Sequence, residues 1–343
     1  MESAGGTKGT DDEDLALSLM VALATTLGLC ERARAQSGYI YGWGSNQSDV
    51  LTTIPEGAKW TQVGAGDGFA IALNVDGTLA GWGNTADGRT TVPTNGPYTQ
   101  IAVGWDCSFA LRANGAVDAW GNHATTTMQP PAGLVATVIA AGETFGLAIR
   151  GDAEMMNQVV AWGSADVVAD VPSGQFVEIA AGGHFAMARR ADGTIAVWGG
   201  STHPECRNLG ATPLRLPPTV IPTGVAVDNQ IVSIAAGHCS AYAIDSAGLV
   251  WAWGGAITCS QTLVSGSMFT QVAGGYGHGV GKLPNGRVET WGPAHEPLCP
   301  PDNCCPLTTY YVPVPSALDS IPVIRLYQSH SARFTLVIIP WLP

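Results

Sequence analysis

Beyond its first 35 residues the chain is a succession of short apolar runs broken by Gly, Asn, Asp and Pro. Runs of this kind, bounded by turn formers, read as strands, and no long stretch of the body carries a helical period. Trp-Gly ends one such run seven times, at Trp43, Trp82, Trp120, Trp162, Trp198, Trp253 and Trp291. A second run, built of small apolar residues and ending in Gly, falls between them. It recurs at Val63–Gly66, Ile101–Gly104, Ile139–Gly142, Ile179–Gly182, Ile234–Gly237 and Val272–Gly275, with a degenerate copy at Leu326–Ser329. The step from this Gly to the next Trp is 16 positions in five repeats (66 to 82, 104 to 120, 182 to 198, 237 to 253, 275 to 291) and four longer from 142 to 162. A period of roughly 40 residues held this way marks a solenoid or a propeller.

Each repeat parses into four short strands. In the first full copy strand a is Thr61–Gly66, strand b Phe69–Leu73, strand c Thr78–Trp82, and strand d a short run near Thr91–Pro93. Asp76-Gly77 lies between b and c, and the same kind of dipeptide recurs at Asn114-Gly115, Asp192-Gly193 and Asn285-Gly286. Asp or Asn before Gly supplies the positive φ angles of a two-residue hairpin turn. A lone blade of four strands cannot bury both of its faces, so blades stack about an axis. The body begins within a repeat, with Tyr39–Trp43 as a strand c, and ends with Leu326–Ile339 as strands a and b. The expected fold is therefore all-β, a seven-bladed β-propeller whose ring closes by pairing the N-terminal strand with the C-terminal ones. Closure of that kind removes two free edges.

These residues resemble the RCC1-like repeat (regulator of chromosome condensation type), in the style of its bacterial exported members. The resemblance rests on the spacing from the strand-a Gly to Ala-Leu (Gly66 to Leu73, Gly104 to Leu111), the Asp-Gly turn, the Ala-Trp-Gly strand end and Thr90–Pro93, and covers residues 38 to 340. It implies a seven-bladed propeller used mainly as an interaction platform. Its members include a chromatin-bound exchange factor for a small GTPase and a secreted bacterial inhibitor of β-lactamases. In that inhibitor the turns after the strand-a Gly are rich in aromatics, whereas here only Trp105 and Tyr276 are aromatic among those turns. A β-lactamase-inhibitor-like role is thus a lesser alternative, and fold by itself does not carry function.

Strand direction alternates, so the a–b turns and c–d loops share one face and the b–c turns lie on the other. All seven His fall on the first face. His123, His203 and His295 lie in c–d loops, and His184, His238, His278 and His330 lie at or beside a–b turns. The two long c–d connections, Trp198 to Gly237 and Trp291 to Ser329, lie there as well, and both are rich in Pro. Proline stiffens a loop before it binds, and elaborated loops on a rigid scaffold carry function. The candidate partner-binding residues are accordingly Asp67, Trp105, Asp106, Glu143, His184, His238, Tyr276 and His330. The Trp of each Trp-Gly repeats at one strand position and reads as blade core. On the opposite face, residues 151–157 extend a b–c turn with Gly, Asp and Asn around two Met and suggest a mobile loop.

Composition narrows the function. Only 12% of residues are charged and the formal net charge is −12, with no basic cluster, which excludes nucleic acid as a partner. With 46% hydrophobic residues and 11 Trp the chain still affords a core. Residues 1–35 form a signal peptide or a disordered segment ahead of the propeller at 36–343. The apolar run Leu15–Leu29 precedes Ala33-Arg34-Ala35, a cleavage pattern, although Asp11–Asp14 is acidic where Lys or Arg is usual. No other run is long enough to span a bilayer. In an exported chain Cys206, Cys239, Cys259, Cys299, Cys304 and Cys305 are candidates for disulfides, with Cys239 and Cys259 a plausible pair within one blade. His203, Cys206, His295, Cys299 and Cys304 supply zinc-ligand types, but their spacing matches no zinc motif, so no metal site and no cofactor is assigned. Neither a nucleophile elbow nor a phosphate-binding loop is present. The reading is an exported, monomeric, non-enzymatic protein-binding propeller; the alternative is a carbohydrate-binding or carbohydrate-active one, which needs clustered acids beside aromatic platforms.

Overall fold

The middle strand of each repeat is buried on both faces. Phe69–Asn74 reads FAIALN, and every side chain through Leu73 is out of contact with solvent. The chain here is a computed structural model. It describes residues 37–44, 47–56, 59–122, 128–200, 230–254, 257–263, 267–275 and 278–291, together with 314, 318, 323, 325–327 and 334–340. These residues make seven antiparallel sheets. In chain order blades 1 to 6 occupy residues 60–83, 98–121, 136–163, 178–199, 231–263 and 271–291. Blade 7 is composite, joining Arg325–Tyr327 and Phe334–Ile339 to Tyr39–Gly44.

Six of these sheets have three strands, and only blade 5 has a fourth, Ile257–Leu263. Among the described residues the four-stranded blade expected from the sequence is met in blade 5 and corrected in blade 1; after Trp198 and Trp291 the segment expected as the fourth strand lies outside the described residues. In blade 1 the strands are Trp60–Ala65, Phe69–Asn74 and Leu79–Gly83, and the segment expected as strand d is a tight loop. The N–H groups of Arg89, Thr91 and Val92 close onto the carbonyls of Ala86, Gly88 and Thr90, and Pro93 has no N–H to give to a ladder. Blade 2 holds this loop from the side, where Trp120 donates its indole N–H to the Arg89 carbonyl at 3.0 Å.

The b–c turns also differ from the two-residue form expected. Only the Gly takes a positive φ, 85° at Gly77. Gly77 N–H bonds the Asn74 carbonyl at 3.0 Å and Asn74 N–H bonds the Thr78 carbonyl at 2.8 Å, so one extra residue is accommodated at the Gly. This is the three-residue hairpin with a left-handed Gly in its bulge. Asp76 serves through its side chain instead of its backbone, accepting from Thr78 N–H at 2.9 Å and from the Thr78 hydroxyl at 2.6 Å. Those bonds hold the Asp76 carboxyl below the usual carboxylate range.

Packing between blades follows a size rule along strand b. Large side chains (Phe69, Ile71, Leu73) face the next blade and small ones (Ala70, Ala72) face the preceding blade. Each Trp of strand c stands opposite one of the small residues in the ladder. The pairs are Ala70–Trp82, Ser108–Trp120, Gly146–Trp162, Ala186–Trp198, Ala241–Trp253, Gly279–Trp291 and Thr335–Trp43. All seven Trp are buried, which bears out their reading as core. The indole of each of three reaches back to the carbonyl of a residue 31 or 32 positions earlier: Trp82 to Val50, Trp120 to Arg89 and Trp198 to Val167.

The innermost strands are linked by side-chain amides or a carboxylate in place of a shared ladder. Gln100 accepts from Ile139 N–H at 3.0 Å and donates to the Ile139 carbonyl at 2.9 Å. Gln62 accepts from Ile101 N–H at 2.9 Å, and Glu178 from Ile234 N–H at 3.1 Å. Seven hydrophobic clusters result, each filled by side chains of two neighbouring blades. Two of them flank blade 7, one against blade 1 and one against blade 6. Within blade 7, Tyr39 pairs with Ile339 and Gly44 with Phe334, as the split repeat implied.

The long turn at 151–157 is tied down. Asn157 N–H and Gln158 N–H bond the Arg150 and Met155 carbonyls, Arg150 Nε bonds Asp152 at 2.6 Å, and Phe176 N–H bonds the Asn157 carbonyl. The turn expected from its composition is hydrogen-bonded at its base, with Met155 and Met156 exposed at its tip.

Candidate functional site

Every a–b turn of blades 1 to 6 is built alike. The strand-a Gly donates its N–H to the carbonyl three residues on, at 2.7 to 2.9 Å (Gly66 to Phe69, Gly104 to Cys107, Gly142 to Phe145, Gly182 to Phe185, Gly237 to Ser240, Gly275 to His278). Two residues are left at each tip. In blades 1, 3 and 4 a side chain on this Gly would strike the Phe that opens strand b, with a Cβ on Gly66 only 2.0 Å from the Phe69 ring; in blades 2 and 5 it would strike the backbone carbonyl of the next tip's Gly. Neighbouring tips are stitched together by backbone. Asp67 N–H bonds the Trp105 carbonyl at 2.8 Å, Glu143 that of Gly183 at 3.0 Å, Gly183 that of His238 at 2.9 Å, and His238 that of Gly275 at 3.1 Å. Side chains at the tips therefore sit on a rigid rim.

Of the residues singled out from sequence, Asp67, Trp105, Asp106, Glu143, His184 and His238 lie on this rim; Tyr276 and His330 fall outside the described residues. The same holds for His123, His203 and His295, the long loops after Trp198 and Trp291, and the side chains of Cys206, Cys259, Cys299, Cys304 and Cys305. Trp105 is half-buried. Asp106 is turned toward its own blade, where its carboxylate accepts from the Asn122 amide at 2.8 Å. Arg89 is buried beneath blade 1's tip, with its guanidinium 5.6 Å from the centre of the Phe69 ring and its Nη1 3.5 Å from the Asp67 carbonyl.

Glu143, His184 and His238 come together. Glu143 Oε2 lies 3.3 Å from His184 Nε2 and 3.8 Å from His238 Nδ1. The two imidazoles stand edge to face with centroids 5.3 Å apart. Their side chains are 10% and 12% exposed, and that of Glu143 is 22% exposed. Among the described residues this is the only set of three His, Cys, Asp or Glu side chains whose ligand atoms all lie within 4.8 Å of one another. The sequence placed all three on one face as separate contact residues but gave no sign of their meeting. One further signal was available, the Gly at position 183, where the other tips carry Asp67, Trp105, Glu143, His238 and Tyr276.

Two more reactive side chains serve packing. Cys107 is free, and burial pushes its thiol up to about 12, so it is no nucleophile at neutral pH. His278 is buried where blades 6 and 7 meet, 3.5 Å from the Thr335 hydroxyl, and burial pushes its imidazole down to about 4. No helix among the described residues is long and apolar enough to cross a membrane.

No protein-family model and no curated protein matches the chain. Solved structures do. Prp20p of Saccharomyces cerevisiae, described with its binding to Gsp1p and histones, is 17% identical and superposes with a TM-score of 0.68 over 90% of this chain and 92% of its own. That yeast RCC1 has also been solved bound to Kap60. Human WBSCR16 is 14% identical, with a TM-score of 0.68 over 89% of this chain and all of its own. The ectodomain of the Arabidopsis thaliana receptor kinase ACR4 is 20% identical, with a TM-score of 0.56 over 75% and 97%. The fold is thus a seven-bladed propeller of the RCC1 type, and at these identities the likeness extends to the fold alone.

Proposed function

We propose that this chain is an exported, non-catalytic propeller that binds a protein through the rim of a–b tips and c–d loops. One observation carries the reading. The polar side chains Glu143, His184 and His238 of three successive tips are gathered where backbone bonds join those tips, whereas three carboxylates on the opposite face are taken up within their own turns. Asp76 and Asp192 cap Thr78 and Thr194, and Asp152 holds Arg150. A preorganised rim binds without a large ordering cost. Use of related folds as binding proteins supports it, since Prp20p binds Gsp1p and histones. The net charge of −12 favours a partner with a basic face.

Export is supported by the apolar run and cleavage pattern at residues 15–35. The test is capture of partners by the full chain, compared with one variant on each face. Trp105→Ala with Asp67→Ala alters the rim; Val75→Lys with Met156→Lys alters exposed positions on the opposite face. A partner lost with the rim variant alone is the expected result. Loss with the opposite-face variant alone would move the binding surface to the b–c turns.

A further inference from the structure

We propose that Glu143, His184 and His238 bind a divalent transition-metal ion, with zinc the preferred one, clamped across blades 3, 4 and 5. Zinc takes His nitrogen at about 2.0–2.1 Å and carboxylate oxygen at about 2.0–2.2 Å in a tetrahedron, so its ligand atoms stand roughly 3.3–3.4 Å apart. Glu143 Oε2 is 3.3 Å from His184 Nε2 and 3.8 Å from His238 Nδ1. One of the three distances already has the length of a tetrahedral edge, a second is about 0.5 Å longer, and the third, between the two imidazoles, is within 4.8 Å, so loading draws the two rings together. Two imidazoles and one carboxylate suit zinc and its neighbours in the first transition row. They are a poor set for calcium or magnesium, which prefer oxygen.

A second observation is independent of the ligands. Gly183 occupies the tip position of blade 4, between Glu143 of blade 3 and His238 of blade 5. A Cβ there would lie 2.5 Å from His238 Nδ1 and 2.9 Å from its Cε1. Gly183 is not among the glycines with positive φ, so its backbone does not demand glycine; the space does. The missing side chain lets the His238 ring lie across blade 4 toward Glu143, while His184 approaches from the next position along the same tip. Backbone bonds of 3.0 Å from Glu143 to Gly183 and 2.9 Å from Gly183 to His238 hold the three tips at fixed spacing. A site on so rigid a support needs little rearrangement to load. Three protein ligands leave the fourth zinc position to water or to a donor from outside the chain.

The test is metal titration of the full chain, stripped with a chelator and then competed for zinc against a chromophoric chelator, with cobalt as the spectroscopic probe. The expected result is one zinc per chain, visible tetrahedral cobalt bands and a rise in Tm with zinc. Glu143→Gln, His184→Ala and His238→Ala should each weaken binding about 100-fold or more, beyond the roughly 10–100-fold expected for a group that only hydrogen-bonds a ligand. Gly183→Ala should weaken it while leaving every ligand in place. Glu143→Gln preserves shape and serves if a histidine variant fails to fold, as judged by circular dichroism. Zinc held with undiminished affinity by a chain carrying Glu143→Gln, His184→Ala and His238→Ala together would place it on ligands elsewhere in the chain and overturn the assignment. So would a wild-type chain that takes up no zinc, which would leave the cluster an ion pair only.

Discussion

Gly146 faces Trp162 across the ladder of blade 3, and a Cβ built on it would fall 2.3 Å from the indole ring. The same register recurs in all seven blades with Ala, Ser, Gly or Thr opposite the Trp, so one small residue per blade sets how far strand c can press its indole into the core. Blade spacing is then a matter of one methyl group, because a close-packed interior does not absorb added volume.

Gly146→Val should therefore lower stability by about 1–3 kcal/mol or more through overpacking. Trp162→Ala should cost about 3–5 kcal/mol through the cavity it leaves. Chemical denaturation with a two-state fit measures both. Near-neutral behaviour of Gly146→Val would mean that the blade relaxes around the indole.

Gln100 couples blades 2 and 3 through both of its amide atoms. Gln100→Ala leaves a buried N–H and a buried carbonyl of Ile139 without that partner, at a cost of about 1–3 kcal/mol. Gln100→Glu keeps the acceptor and loses the donor, the arrangement that Glu178 already uses toward Ile234, and should fall between the two. Equal stability of all three chains in urea would remove the amide link as a source of cohesion.

His278 makes stability depend on pH. Its folded value of about 4 lies below its ordinary value of 6.5. As pH falls below 6.5 the unfolded chain takes up a proton that the folded chain refuses. The contribution is intact above pH 6.5, is lost between there and about 4, and falls no further below that. At 1.36 kcal/mol per unit the loss is roughly 3 kcal/mol. His278→Gln should flatten that part of the stability profile relative to wild type, and parallel profiles for the two chains would refute the assignment.

Removing residues 38–44 takes the third strand from blade 7 and exposes the edge of Phe334–Ile339. The expected outcome is a clear drop in Tm with concentration-dependent aggregation. Retention of the wild-type Tm would show that ring closure contributes nothing to stability.

Much of this was legible from residue order. Trp-Gly at a regular spacing named the blades, because Gly83, Gly121, Gly163, Gly199 and Gly254 carry φ angles of about 82° to 120° that side chains rarely adopt. The split of one repeat between Tyr39–Trp43 and Leu326–Ile339 showed which strands meet. Two readings failed for local reasons. The Asp-Gly turns were read from the dipeptide alone, but hydrogen bonds that the Asp76 carboxylate accepts from Thr78 select the longer turn. The strand expected at Thr91–Pro93 failed because a Trp from the next blade takes the carbonyl at Arg89, which a single repeat does not contain.

By itself the sequence determined the number of blades, the alternation of turns between two faces, the burial of each Trp and the rim on which the candidate residues lie. These follow from local conformation and from a periodicity that any one repeat displays. Only the tertiary structure decided that Glu143, His184 and His238 share a few ångströms while Asp106, on the same rim, turns away to Asn122. That outcome depends on the angle between blades 3, 4 and 5 and on the space left by Gly183. Residues 41 and 54 positions apart along the chain acquire a distance only when the whole ring has set those angles.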